Sequence, residues 1–311
     1  MMNDTRPIGV FDSGIGGLSV LKHVLQTLPN ERFIYLGDTA RVPYGNRSVE
    51  TVQLYSKQCA AFLEQHNVKM IVVACNTASA VALDELRTYC TVPVLGVIEP
   101  AAAEAVRQTR NGHIGVIGTR ATIASNAYAT AIMRASAAQG GSGAEGGSAA
   151  AGGSAAAGGS AAAGGSGAEG TTRVFVHSQP CPLFVPLVEE GWLDTPATRL
   201  IAEEYLRPLV ANGIDTLVLG CTHYPLLSPM LESLLPEVAL IDCGKCAADE
   251  VGKTISAPSG GSEKSQTFFY LTDNTPQFQL VARQFLGTTV NEPVRVSVDH
   301  LIGDVDHRIR G

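Results

Sequence analysis

The sequence predicts an α/β fold of two similar halves, each doubly wound around a parallel-rich sheet. Three observations carry this. Short runs such as Val72-Val73 and Leu217-Val218-Leu219 are apolar in succession, as in strands buried on both faces of a parallel sheet. Such runs alternate strictly with helical patterns. Strand, polar turn and helix also recur: Ile8-Gly9-Val10-Phe11 resembles Ile114-Gly115-Val116-Ile117-Gly118, and Ala74-Cys75-Asn76-Thr77 resembles Gly220-Cys221-Thr222-His223. That is an internal repeat.

Taken from the amino terminus, Ile8–Phe11 is a first strand. It runs into the glycine-rich turn Asp12-Ser13-Gly14-Ile15-Gly16-Gly17 and a helix over Leu18–Leu28, which Pro29-Asn30 stops. Phe33–Leu36 is a second strand, and after a loop over Arg41–Arg47, Ser48 is suited to cap a helix. Val52, Tyr55, Cys59 and Phe62, spaced by threes and fours, give that helix an apolar face. His66 at its end reads as a helix-terminal residue and not as a ligand. Lys69–Ala74 and Val92–Val97 are strands flanking one helix over Thr77–Cys90.

An Ala-rich helix follows Glu99-Pro100, then the strand Ile114–Gly118, the turn Thr119–Thr122 and another helix. Further on, Arg173–Val176 reads as a strand and Cys181–Gly191 as a loop or short helix fixed by prolines. Arg199–Ala211 is a helix and Thr216–Gly220 the strand before Cys221. Strands at Val238–Asp242 and Phe268–Leu271, with helices near Ala247–Ile255 and Pro276–Phe285, complete the pattern. The tail from Asn291 is polar.

Composition excludes several classes of function. The formal charge is -7 with only 22 Lys plus Arg and no basic run interleaved with aromatics, so nucleic acid is not expected as the main ligand. No apolar run approaches the roughly eighteen residues that would span a bilayer. The amino terminus lacks the charged and apolar regions of a signal peptide, so a soluble, cytoplasmic protein is expected. The seven cysteines are few and odd in number, which fits reduced thiols. Cys59 and Cys90 fall on helical patterns and read as packing residues. Cys243-Gly244-Lys245-Cys246 has a spacing used in redox and zinc chemistry, but no second pair or His motif accompanies it, and no metal site is expected.

Gly140–Gly170 is different in kind: 31 residues of Gly, Ser, Ala and Glu only, recurring as Gly-Gly-Ser-Ala-Ala-Ala. Such a composition cannot bury enough apolar surface to offset the entropy of ordering, and it predicts a flexible linker.

Cys75 and Cys221 stand at the carboxyl ends of corresponding strands, where parallel sheets bind their ligands. A single thiol would suggest a nucleophile with a His base, and Cys221-Thr222-His223 has that look. Residues two apart at a helix start point in different directions, however, so this pair is not read as a dyad. Two facing thiols suggest another use, in which a thiolate removes a proton from one face of a carbon and a thiol returns one to the opposite face. Free cysteine titrates near 8.5, but both cysteines precede a predicted helix, whose positive end favours thiolate. Asp12 and His223 are candidates to shuttle or orient protons. The bland alternative is a pair of buried strand-end cysteines that happen to repeat.

An amino-acid substrate would need grips for carboxylate and ammonium, and Asp12-Ser13, Tyr44-Gly45, Asn76-Thr77 and Thr222 offer them at loop and helix starts. The 12–17 turn is not G-x-G-x-x-G, and its leading Asp would repel phosphate. No Lys sits where a pyridoxal Schiff base would form, so a cofactor-free reaction is expected.

Together, Ile8–Gly17, Asp38 with Arg41–Gly45, Ala74–Ala78, Gly118–Thr122, Cys181–Gly191 and Gly220–Pro225 resemble the glutamate racemases, in that family's order. The resemblance implies cofactor-independent interconversion of L- and D-glutamate, supplying D-glutamate for peptidoglycan. Cys75 and Cys221 match the catalytic cysteines, the first taking the proton from D-glutamate and the second from L-glutamate. Asp12, Glu189 and His223 match auxiliary catalytic residues. Asp12, Ser13, Tyr44, Gly45, Asn76, Thr77, Thr222 and His223 match substrate contacts, joined by Thr119 and Thr122.

The resemblance further implies two pseudo-symmetric α/β domains with the active site at their interface, and a homodimer as a common state. The first domain is expected at 1–98 plus 212–311, and the second at 99–211, including the linker. Other readings stay open: an aspartate or hydantoin racemase of the same superfamily, or a regulatory homologue such as a gyrase modulator. Because long surface loops close at modest entropic cost, shortening Gly140–Gly170 to a few residues is expected to leave racemase activity within about twofold of the parent, measured as steady-state turnover.

Overall fold

The computed structural model describes residues 4–140, 145–146, 173–255, 266–274 and 278–301. The predicted linker therefore lies outside the described residues, apart from Gly140 and Glu145-Gly146.

In the first half, β1 (Ile8–Asp12), α1 (Leu18–Thr27), β2 (Phe33–Gly37), α2 (Val49–Gln65) and β3 (Met70–Val73) follow one another. Then come α3 (Asn76–Val81), α4 (Leu83–Tyr89) and β4 (Val94–Gly96). The second half holds α5 (Ile98–Gln108), β5 (His113–Gly118), α6 (Arg120–Ala124), α7 (Ala127–Ala138), β6 (Glu145–Gly146) and β7 (Phe175–Pro180). It continues with α8 (Phe184–Glu189), α9 (Pro196–Ala211), β8 (Thr216–Gly220), α10 (Ser228–Leu234), β9 (Ala239–Asp242) and α11 (Cys243–Thr254). The chain then returns through β10 (Thr267–Leu271), α12 (Phe278–Leu286) and β11 (Val294–Arg295).

All pairings run parallel. The six-stranded first sheet has the order β11-β10-β2-β1-β3-β4, and the five-stranded second sheet β6-β7-β5-β8-β9. The two blocks β2-β1-β3-β4 and β7-β5-β8-β9 are thus wound alike, with β3 and β8 in matching places. Every residue of β1, β3 and β8 is buried, as continuous apolar runs in a covered parallel sheet require. One continuous core joins a face of the first sheet to the second sheet, through α1, α5 and α11.

Three expectations need correction. The second sheet runs past the return expected at 211–212. β8 pairs with β5 and β9, so the second sheet extends to Asp242. The helix expected over Thr77–Cys90 is two helices that meet at Ala82 (φ -121°, ψ -10°). The offset lets the Ser79 hydroxyl donate to Val73 O at 2.9 Å, while Leu83 turns onto Gly96. Finally, β7 begins at Phe175 and continues through His177-Ser178-Gln179-Pro180. Among the described residues, the two of β6 cover its outer edge; β7 is half-buried and tolerates polar side chains.

The start of β8 is tied to the turn before β5 by one carboxylate. Asp215 accepts from the Thr109 hydroxyl at 2.6 Å and from the backbone N–H of Arg110 at 2.7 Å and Asn111 at 2.8 Å. Burial opposes its charge, but these bonds hold its carboxyl below the usual range. A depressed carboxyl pKa contributes stability above the unfolded value near 3.9, and that contribution is lost as pH falls through the folded value. Asp215→Ala should therefore cost about 2 kcal/mol in urea unfolding at pH 7, and the difference should shrink markedly at pH 3.

Candidate active site

The carboxyl ends of β1, β3, β5 and β8 open onto one cavity of ≈ 370 Å³ between the two sheets. Ser13, Tyr44, Gly45, Cys75, Asn76, Thr77, Thr119, Glu189, Cys221, Thr222 and His223 all line it. The two strand-end cysteines therefore reach the same space. A larger cavity of ≈ 470 Å³ lies elsewhere, against α3, α4 and α7, but no thiol or imidazole lines it, so the chemistry selects the smaller one.

Around Cys75 the environment is acidic and buried. Cys75 caps α3, its sulfur accepting from Ala78 N at 3.4 Å and donating to the Ser13 hydroxyl at 3.5 Å. Asp12 lies beneath, accepting from Gly14 N at 2.9 Å, and its Oδ1 is buried without a hydrogen-bond partner. Burial raises the Asp12 carboxyl, against the opposing charge of His223 and backbone N–H groups. Burial, and then Asp12, push the Cys75 thiol up to about 12. The helix end that Cys75 caps does not offset this, contrary to the expectation of a thiolate there.

Around Cys221 the environment is basic. The structure brings His223 against Cys221 after all, with Nδ1 3.9 Å from the sulfur. The reason is local: Cys221 is followed by a 3₁₀ turn over Tyr224–Leu227 and not by an α-helix, so His223 folds back beside it. His223 Nε2 sits 3.3 Å from the Glu189 carboxylate, an ion-pair contact that falls short of an aligned hydrogen bond. Burial works against its charge, but Cys221 and Glu189 together raise the imidazole to about 10. A protonated His223 offers one N–H to each of them. Of the neighbouring acids, Glu189 is on the wall, whereas Glu190 ends α8 and is not among the lining residues.

The remaining predicted residues divide by position. The hydroxyls of Thr77, Thr119 and Thr122 form a triangle of 3.1, 3.3 and 2.9 Å, tying α3 to α6. Thr122 stands behind the wall, not on it. The Tyr44 hydroxyl donates to Asp38, so it is already engaged within the protein although the residue lines the cavity. Asp38 is also held by Arg41 Nε at 2.7 Å and by the Thr272 hydroxyl at 2.9 Å, so a buried polar cluster anchors the 41–47 loop. The wall also includes Val42, Pro43, Asn46, Arg120, Pro182, Val185 and Pro186. All but Asn46 lie within the stretches that carried the family resemblance, and of these Arg120 brings a cation to the wall.

Among the described residues no three His, Cys, Asp or Glu side chains group as a metal cage, and no helix is long and apolar enough to cross a membrane. Cys243 is buried and donates to Leu219 O at 3.1 Å. His66 ends α2, its ring within 2.9 Å of Phe62 O.

One backbone approach packs directly against two residues of the wall, Thr222 and His223. A Cβ on Gly16 would lie 2.4 Å from Thr222 Oγ1 and 2.5 Å from His223 Cε1. Gly16→Ala should displace His223 and lower kcat/KM by about 100-fold, with far-ultraviolet circular dichroism unchanged, since misplacement near 1 Å carries such a cost.

The profile of the family described as Asp/Glu/Hydantoin racemase matches residues 8–163 and 166–251. A glutamate racemase of Syntrophus aciditrophicus is 42% identical over 299 residues, covering 95% of this chain and 98% of the relative. One of Chlorobaculum tepidum is 44% identical over 292 residues, covering 92% and 94%. The structure of the Francisella tularensis glutamate racemase in complex with D-glutamate shares 35% identity and superposes with a TM-score of 0.79, covering 95% of this chain and 99% of that one. The chain belongs to the Asp/Glu/Hydantoin racemase family and is a racemase.

Proposed function

We propose that the protein interconverts L- and D-glutamate by a cofactor-independent two-base reaction at Cα, with Cys75 and Cys221 as the bases. The observation that carries this is the pair of cysteines on one cavity wall in opposite electrostatic settings. Cys75 is a thiol, held protonated by burial and Asp12. Cys221 has His223 against its sulfur. Two groups whose surroundings differ in this way suit complementary acid and base roles.

For L-glutamate, the Cys221 sulfur, as thiolate, takes the Cα proton, and the electron pair stays on Cα. The Cys75 S–H then delivers its proton to the opposite face, leaving a Cys75 thiolate and a Cys221 thiol. D-glutamate runs the same steps in reverse. His223 with Glu189 on one side, and Asp12 on the other, exchange protons with the cysteines between turnovers. Asn76, Thr77, Thr119, Thr222, Ser13 and the Tyr44-Gly45 backbone hold the carboxylates and the ammonium group. The named relatives support glutamate as the substrate, and supply of D-glutamate for peptidoglycan in the cytoplasm is the accompanying biological role.

The test is proton NMR of the purified protein with L-glutamate in deuterated water, without added cofactor. Loss of the Cα–H signal with D-glutamate appearing on a chiral column is the expected result. Exchange with aspartate and none with glutamate would move the substrate; exchange with neither would overturn the reading. Cys75→Ala and Cys221→Ala should each lower racemisation by at least about 10³-fold with the fold retained, and substantial turnover by either would overturn the two-base assignment.

A further inference from the structure

Asn76 sits on the cavity wall next to Cys75, yet its side-chain amide is only half satisfied. Its Oδ1 accepts from the Tyr128 hydroxyl at 2.5 Å, while its buried Nδ2 has no hydrogen-bond partner. A buried amide N–H₂ without a partner is costly, and on a residue that lines a cavity it is the group a ligand's acceptor can satisfy.

The Tyr128 hydroxyl decides which end of that amide faces the cavity. Tyr128 stands on α7 in the second half and is fully buried, with Cys243 Sγ 2.8 Å from its oxygen. Cys243 in turn donates to Leu219 O, two residues before Cys221. Sulfur is a weak acceptor and an amide oxygen a strong one, so the phenol proton goes to Asn76 Oδ1. Burial pushes both Tyr128 and Cys243 well above their ordinary values, so both keep their protons. The Tyr128 ring also packs on Gly220, where a Cβ would lie 3.0 Å from Tyr128 Cε2.

We propose that Tyr128 is a positioning residue for substrate binding: by donating to Asn76 Oδ1 across the two halves, it locks the amide so that Nδ2–H₂ faces the cavity as a carboxylate donor. Cys243, half of the C-x-x-C pair, then serves as packing and as an anchor to β8, not as a redox centre. The inference rests on the glutamate reading of the cavity.

A double-mutant cycle on KM for glutamate tests it. Tyr128→Phe keeps the ring on Gly220 and frees the amide to rotate; KM should rise about tenfold with kcat changed less than about threefold. Asn76→Ala should raise KM at least as much, and adding Tyr128→Phe to it should change KM by less than about twofold, because the orienting bond has lost its object. Cys243→Ala should leave KM within about twofold, since the sulfur is the weaker partner. Equal factors for Tyr128→Phe in both backgrounds, or a Cys243→Ala effect as large as that of Tyr128→Phe, would mean general core perturbation and would overturn the assignment. A normal KM for Asn76→Ala would remove the carboxylate contact from the cavity reading itself, and Tyr128's role with it. A raised KM for Asn76→Ala beside a normal one for Tyr128→Phe would overturn the Tyr128 assignment alone.

Discussion

Two thiols can act on one carbon only if the halves that carry them are held in fixed register, and buried hydrogen bonds across the junction do this. The Ser19 hydroxyl of α1 donates to Thr222 O at 2.8 Å, although the two residues are 203 apart in sequence. The Thr77–Thr119–Thr122 triangle ties the helix after Cys75 to the helix after β5. Tyr128 links Asn76 to the backbone just before Cys221 through Cys243. A single apolar cluster runs beneath all three. Each bond alone contributes only about 1 kcal/mol, but in a buried site their geometry fixes positions that an apolar contact alone would leave loose.

The same junction makes the two cysteines unequal. The strands are wound alike, yet the residues around their ends are not. Asp12 beneath Cys75 adds a negative charge to a buried thiol, and both effects favour its protonated form. Opposite it, His223 carries a positive charge between Cys221 and Glu189. Pseudo-symmetry of backbone therefore supplies the placement, and asymmetry of charge supplies direction. Asp12 and His223 also feel each other, since the imidazole's charge counteracts the rise in the Asp12 carboxyl. A proton gained on one side is thus felt on the other.

What could be read from sequence follows from which constraints are local. The buried runs at Val72-Val73 and Leu217–Leu219 were legible because burial on both faces of a sheet leaves no room for polar alternation. The Ser48 cap was legible because an N-cap is satisfied within four residues; its side chain accepts from Thr51 N. The break at Ala82 was not, since no Gly or Pro marks it and its cause is Ser79 and Leu83 meeting residues on β3 and β4. The end of the second sheet was misplaced because strand order is a tertiary choice: nothing in Thr216–Gly220 says whether β1 or β5 is its neighbour. His223 beside Cys221 was missed for assuming a helix where Pro225 and a 3₁₀ turn stand. Tyr128 lies outside every motif, and only its hydroxyl, buried across the junction, gives it away.

Strand order also explains how the long Gly-, Ser- and Ala-rich stretch is compatible with a site so tightly tied. Its described residues are Gly140, just past α7, and Glu145-Gly146, which pair as β6 with Phe175-Val176 at the start of β7. A connection from a helix into a parallel strand enters at the strand's amino end, whereas the cavity opens at the carboxyl ends. β7 is also separated from β8 by β5. An insertion there is attached at the far end of the sheet from both cysteines and beside none of the bonds that cross the junction.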